Sequence, residues 1–277
     1  MVVVFALLAA VVYGCGDFVG GFASRSRSAV TVLLYAYPVG AALMLGLLPL
    51  FSGPLDPRTA LLGAGGGIGG MVGVIVMYSL MARAPMNIIS PVTAVLAAVV
   101  PVGFGVLVGE RPHVAAWFGI VLGMAAVMLV SHTPDDHPHG PVGARILALA
   151  CVSGIGFGAY FICLARADPH SGMWPLVISR ITSAALIVPL ARRTRAFQVL
   201  SGRVLGLAVL CGILDASANL FFLLASRHGL LSIASVITSL YPAMTVLLAV
   251  WLLHEHTGRL QRVGLALAAV SIVLITY

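Results

Sequence analysis

Ser90-Pro91-Val92-Thr93, in an apolar run that ends at Glu110, returns 145 positions later as Ser235-Val236-Ile237-Thr238 in a run that ends at Glu255. The same offset lays Gly67-Ile68 on Gly212-Ile213 and Gly119 on Gly264. Toward the start of each half the best offset shrinks, so that Gly14 and Gly16 meet Gly154 and Gly156, and Ala41-Ala42-Leu43 meets Ala184-Ala185-Leu186. Matches among Gly, Ala and Leu arise by chance in an apolar chain. Two glutamates, each closing the fourth apolar run of its half, are harder to dismiss, and they mark an internal repeat.

The composition says what the repeated unit is. Of 277 residues, 61% are hydrophobic and 8% charged, with a mean hydropathy of +1.11, whereas a soluble domain carries about 25% charged residues. The chain reads as an integral membrane protein. A crossing takes about 20 mostly apolar residues, so ten crossings use about 200 positions and leave no room for a soluble domain of about 100 residues. That excludes most enzyme classes, and any chemistry must take place inside the bundle.

Apolar runs bounded by Pro, Gly, Arg and Asp predict helices at Val2–Ala23, Ser28–Phe51, Thr59–Met81, Met86–Val108 and His113–Val130 in the first half. The second half gives Pro141–Ala165, Met173–Ala191, Arg203–Ser226, Leu230–Leu253 and Gly258–Tyr277. A unit with an odd number of crossings enters the membrane in opposite directions in its two copies. The expected fold is therefore all-α and integral to the membrane, with ten transmembrane helices as two inverted five-helix repeats. Residues 1–131 form the first repeat, 132–140 a polar linker and 141–277 the second. Such repeats surround a single central site in many transporters.

The Gly-rich first helices, the fourth helices running into Gly109-Glu110-Arg111 and His254-Glu255-His256, and the fifth helices carrying Gly119 and Gly264 resemble the EamA-type transporters of the drug/metabolite transporter superfamily. The stretch Ser239-Leu240-Tyr241-Pro242-Ala243 is similar to the ninth helix of that family. The resemblance covers nearly the whole chain. It implies a ten-helix exporter or exchanger of small metabolites, often amino acids, with no required cofactor.

Three ionisable residues lie well inside predicted helices: Asp17, Arg180 and Asp215. A charge at the bilayer centre costs about 2.5–3.5 kcal/mol, so each is expected to face the bundle interior or a watery cavity. Asn219 lies four residues after Asp215, on the same helix face. This face either lines the substrate path or braces two helices through a hydrogen bond. Arg180 aligns approximately with Tyr37 of the first half and either holds a substrate carboxylate through two parallel hydrogen bonds or neutralises Asp17 or Asp215. Asp17 and Asp215 are the deep carboxylates that can carry a coupled proton.

Ser90 with Thr93 and Ser235 with Thr238 form matched hydroxyl faces, and Pro91, Pro101 and Pro242 predict kinks. Those hydroxyls either meet substrate or bond back to their own helix carbonyls. The predicted substrate-binding set is Asp17, Ser90, Thr93, Arg180, Asp215, Asn219, Thr238 and Tyr241, and the central site is expected between the halves, from helices 1, 3, 4, 6, 8 and 9.

Other signals carry less. Gly65-x-Gly67-x-x-Gly70 matches a dinucleotide fingerprint by pattern, but it sits within an apolar span rather than between a strand and a helix, so it reads as close helix packing. His132, His137 and His139 with Asp135 and Asp136 lie among prolines in the linker and read as solvated, so no metal site is expected. Cys15, Cys151, Cys163 and Cys211 read as small apolar residues. The +7 formal charge comes from fifteen arginines at the ends of apolar runs, where interfacial anchoring explains them and a nucleic-acid partner is not expected.

Connections after the odd-numbered helices hold ten arginines against four on the other face. That count places both termini outside, whereas the resemblance implies both inside. The expected partners are a small-molecule substrate and the lipid bilayer, with the chain a monomer or homodimer. A channel-like passive conduit and a non-transport assembly factor are the competing functions.

Overall fold

The computed structural model describes residues 1–81, 86–130, 144–253 and 258–276, without the side chains of residues 81, 86–91, 249, 250, 252 and 253. The linker histidines and aspartates, Arg83, His254, Glu255 and His256 lie outside this set. Eleven helices follow in order: α1 Val2–Ser24, α2 Ala29–Leu47, α3 Pro57–Met81, α4 Met86–Leu107, α5 Val114–Val130, α6 Ala144–Arg166, α7 Trp174–Arg193, α8 Gly202–Arg227, α9 Leu231–Thr238, α10 Tyr241–Leu253 and α11 Arg259–Thr276. Eight stretches are long and apolar enough to cross a membrane, one of them running through α9 into α10, and two shorter apolar helices lie at Val92–Leu107 and Val114–Val130. At 1.5 Å per residue the 17 residues of α5 reach about 25 Å, close to the ~30 Å hydrocarbon thickness. Large apolar side chains such as Leu61, Val121, Trp251 and Val273 are exposed on the outer surface. In a bilayer that surface meets lipid.

Local chemistry sets the helix ends. Ser28 accepts the Thr31 N–H (3.2 Å) at the start of α2, and Asp56 accepts the Thr59 N–H (2.9 Å) ahead of Pro57 in α3. Thr59, through its hydroxyl and its backbone N–H, holds the Asp56 carboxyl below the usual carboxylate range. Helix α4 ends at Gly109, whose φ of 96° suits only a residue without Cβ. There the Glu110 N–H reaches back to the Gly105 carbonyl (2.8 Å) and the Gly109 N–H to that of Val106 (3.0 Å).

The ninth span departs from the single helix expected over Leu230–Leu253. Pro242 has no N–H to offer the Thr238 carbonyl, so the helix stops at Thr238 and restarts at Tyr241. Across the break the Leu240 N–H turns to the Ile237 carbonyl (3.2 Å) and the Ser239 hydroxyl to that of Ser235 (2.7 Å).

Helix pairing runs mainly between the two halves. Helix α1 packs on α8 and α3 on α6; α2 packs on α7, and α5 on α11; α4 packs on α6 as α10 does on α1. Glycines allow these approaches in matched pairs. A methyl group added at Gly67 in α3 would strike the Ser179 carbonyl of α7, and one at Gly212 in α8 would strike the Ala36 carbonyl of α2. Gly14 lies against Tyr241 and Met244 as Gly154 lies against Thr93 and Leu96; Gly119 meets Ile275 as Gly264 meets Val130. The offsets read from the sequence are thus a map of backbone contacts around a pseudo-two-fold axis.

Connections that an up-and-down path places on one face also bond to one another. The α6–α7 connection donates to the α2–α3 connection through Met173 N–H to Phe51 O (3.1 Å) and Trp174 Nε1–H to Gly53 O (3.0 Å). Arg227, at the end of α8, reaches the Gly172 carbonyl (2.6 Å). On the opposite face the Thr31 hydroxyl of α2 donates to Ala196 O in the α7–α8 connection (3.0 Å). The chain folds as ten membrane-crossing helices in two inverted units, the ninth crossing broken into α9 and α10.

Candidate functional site

Where the halves cross, α1, α2, α3, α4, α6, α7, α8 and α10 surround a cavity. The space open to the centres of water-sized molecules is about 60 Å³, enough for about five waters. One side of the cavity is built by α7 and α8. Arg180 Nη1 stands 2.5 Å from Asp215 Oδ2, with the arginine side chain 7% exposed and the aspartate 27%.

A short hydrogen-bonded chain extends from this pair. Asn219, one turn after Asp215, donates through Nδ2 to the Asp215 backbone carbonyl (2.5 Å) and to its carboxylate (3.3 Å). Its Oδ1 accepts the Tyr13 hydroxyl from α1 (2.5 Å). The guanidinium carbon of Arg180 lies 6.0 Å from the centre of the Tyr37 ring, within cation–π range. A buried arginine is thus held by a carboxylate on one side and an aromatic face nearby, which answers the cost of placing its charge inside the bundle.

Asp17 occupies the cavity wall from α1. The Tyr78 hydroxyl of α3 approaches its Oδ1 at 3.5 Å. Gly16 beside it lets α1 lie close to Leu214 of α8, and Gly70 leaves room for the Tyr160 ring. The remaining wall is aromatic and apolar: Tyr160, Phe157 and Phe161 of α6, Leu33 and Ala36 of α2, Met71 and Val74 of α3. Phe161 stacks on Phe222 at 4.1 Å between centroids, which fixes that part of the wall.

Of the residues expected from sequence, Asp17, Arg180, Asp215, Asn219 and Tyr241 line the cavity together. Thr93 and Thr238 do not. Thr93 points into the α4–α6 contact, where its hydroxyl donates to Ala150 O (3.4 Å). Thr238 is fully buried in α9, and its hydroxyl, like those of Ser232 and Ser235, has no partner among the described residues. The side chain of Ser90 lies outside the described residues.

Sequence reasoning placed the site on helices 1, 3, 4, 6, 8 and 9 with Arg180 of the seventh; the structure adds the second helix through Tyr37, and Ser179 and Ser183 beside Arg180 on the seventh. It also adds Tyr13, Tyr78, Tyr160, Phe157 and Phe161. Five of the seven tyrosines in the chain line this one cavity. The approximate overlay of Tyr37 on Arg180 was the available signal, since equivalent positions of inverted repeats face the same axis.

Helix α9 is held from outside its own half. Its N-cap, Leu230, has no side-chain oxygen, and the first two helical N–H groups, of Leu231 and Ser232, instead donate to Glu110 at 2.7 and 3.0 Å. The glycine turn at the end of α4 sets that carboxylate in place.

A search of curated proteins finds no match to this chain. Solved structures do match: one crystal structure aligns over 97% of this chain and 98% of its own, with a TM-score of 0.73 at 18% identity, a likeness of fold. The model of the EamA-like transporter family matches residues 1–132 and 144–277, and both segments contribute residues to the cavity lining. The chain belongs to the EamA-like transporter family, membrane transporters of the drug/metabolite transporter superfamily.

Proposed function

We propose that the protein is a secondary transporter that exports or exchanges small metabolites such as amino acids by alternating access. Two structural units, 1–131 and 141–277, would move about the central cavity, with 132–140 as their linker. The observation that carries this reading is the Arg180–Asp215–Asn219–Tyr13 chain, which brings polar groups of both halves to one cavity. Motion that separates α8 from α7 or α1 must break this chain, so a solute bound beside it experiences both conformations differently, as coupling requires. Asp17, Arg180, Asp215, Asn219 and Tyr241 are the proposed substrate-facing residues. Of the two deep carboxylates, Asp17 is the proposed proton carrier, because Asp215 is engaged by Arg180.

The test is counterflow. Purified protein in liposomes, preloaded with pooled unlabelled metabolites and offered each one labelled, should show saturable uptake that exceeds equilibrium for the true substrate. Asn219→Ala should reduce that flux while leaving the folded yield near that of the unmodified protein. Flux that neither saturates nor responds to internal solute would identify a passive conduit. A pH gradient that drives no accumulation would remove Asp17 from proton coupling and leave exchange.

A further inference from the structure

We propose that the central cavity holds a subsite for the carboxylate of an acidic solute, built on the Nε–Nη2 edge of Arg180 with the hydroxyls of Tyr37 and Tyr160. The inference rests on the transport reading above and names the group on the solute that is recognised.

The two roles expected of Arg180 fall on different edges of one guanidinium. Nη1 is taken by Asp215 Oδ2 at 2.5 Å, which offsets the charge. Nε and Nη2 have no partner among the described residues, and Nε is fully buried. These two nitrogens present parallel N–H bonds along one edge, the spacing that the two oxygens of a carboxylate match. A solute seated there leaves the Asp215 contact intact, because the guanidinium carries five N–H donors in a fixed fork.

The cavity is short of acceptors elsewhere too. Tyr37 of α2 and Tyr160 of α6 line it together with Arg180 of α7, and both hydroxyls are buried without a partner among the described residues. The carboxylates of the wall are already engaged, Asp215 by Arg180 and Asn219, and Asp17 by the Tyr78 hydroxyl. A buried N–H or O–H with no acceptor is costly, and each one calls for an explanation. An incoming oxyanion supplies the acceptors that three helices leave wanting.

Charge and lining narrow the class. Arg180 and Asp215 offset one another, so a bare anion adds negative charge to a wall that also carries Asp17. An acid with a positive group of its own adds no net charge. Phe157, Phe161 and Met71 give the rest of the solute an apolar surface. The site fits an organic acid with an apolar body, held by its carboxylate.

Two pairs of probes decide the matter, each an acid beside its own amide: phenylacetate with phenylacetamide, and phenylalanine with phenylalaninamide. Binding to purified protein is read from the ligand-induced shift in melting temperature across a concentration series. In both pairs the acid should bind about ten-fold or more tightly than the amide, the ratio that a charge-assisted hydrogen bond supplies. Arg180→Lys keeps a cation for Asp215 but loses the paired N–H edge, and it should bring acid and amide close to equal. Tyr160→Phe, which removes a single hydroxyl, should lower the same ratio by a smaller factor. If the lysine variant does not fold, the two pairs on unmodified protein and Tyr160→Phe still decide.

An amide that binds as tightly as its acid in either pair, no response to any of the four probes, or an undiminished acid preference in a folded Arg180→Lys overturns the inference. Acid-selective binding without counterflow of any metabolite would support it while overturning the transport mechanism proposed above. Saturable counterflow of a solute without an acidic group would do the reverse.

Discussion

Replacing Glu110 by alanine should loosen the start of α9 without touching the cavity. Two backbone donors, Leu231 and Ser232, lose a carboxylate at 2.7 and 3.0 Å, and Leu230 offers nothing in its place. A lost cap costs about 0.5–2 kcal/mol, and a hydrogen bond to a charged acceptor contributes about 1.5–3. Glu110 is only partly buried, so the low end applies to each bond, and the pair amounts to about 2–3 kcal/mol, a rise of about 30- to 150-fold in the local opening constant. Hydrogen exchange read by mass spectrometry on the peptide spanning residues 229–236 measures this directly. Glu110→Gln, which keeps one acceptor oxygen but loses the charge, should fall between the two. Exchange at Leu231 and Ser232 as slow in Glu110→Ala as in the unmodified protein would refute the cap, and with it the coupling of the α4–α5 turn to the broken ninth crossing.

Two further outcomes follow from contacts inside the bundle. Gly67→Ala and Gly212→Ala each push a methyl group into the backbone of the facing helix, at Ser179 and Ala36, and each should cost about 1–3 kcal/mol; Gly21→Ala, which meets nothing within 4 Å, should be neutral, and unequal losses in the matched pair by thermal denaturation would argue against equivalent roles. A double-mutant cycle on Arg180→Met and Asp215→Leu should return a coupling energy of about 1–3 kcal/mol, with each single change more damaging than the pair together because it strands a buried charge; simple additivity would mean that the 2.5 Å contact contributes nothing specific.

The fold was legible because crossing a bilayer imposes length and composition on every helix, and because close helix contacts demand glycine at repeated places. The 145-residue offset found Gly67 with Gly212 and Gly119 with Gly264, and these are the positions where backbones touch. The break in the ninth crossing was legible only as a kink at Pro242. Its position at Ser239–Leu240 depends on which carbonyl the proline leaves without a donor, and on Glu110 holding the preceding piece in place.

Apart from Tyr241, the candidate site was legible where charge was involved. Asp17, Arg180 and Asp215 had to face inward because lipid would not take them, and Asn219 followed by helical spacing. Thr93 and Thr238 looked equally promising, but a hydroxyl is cheap to bury in a helix contact, as Thr93 is against Ala150. Tyr13, Tyr37, Tyr78 and Tyr160 were missed for the opposite reason. A tyrosine is at home in a membrane interface belt as well as in a bundle, and helices apolar on all sides have no moment to say which face turns inward. What breaks that degeneracy is the repeat itself. An offset of 143, read from Ala41-Ala42-Leu43 on Ala184-Ala185-Leu186, carries Ala36 onto Ser179 and Tyr37 onto Arg180. Since each member of the first pair receives a glycine from the facing helix, the residue after it, in both halves, turns toward the axis where the cavity lies. A self-overlay of an inverted repeat therefore reports facing as well as ancestry, and here it would have put Tyr37 of α2 at the site beside Arg180 of α7.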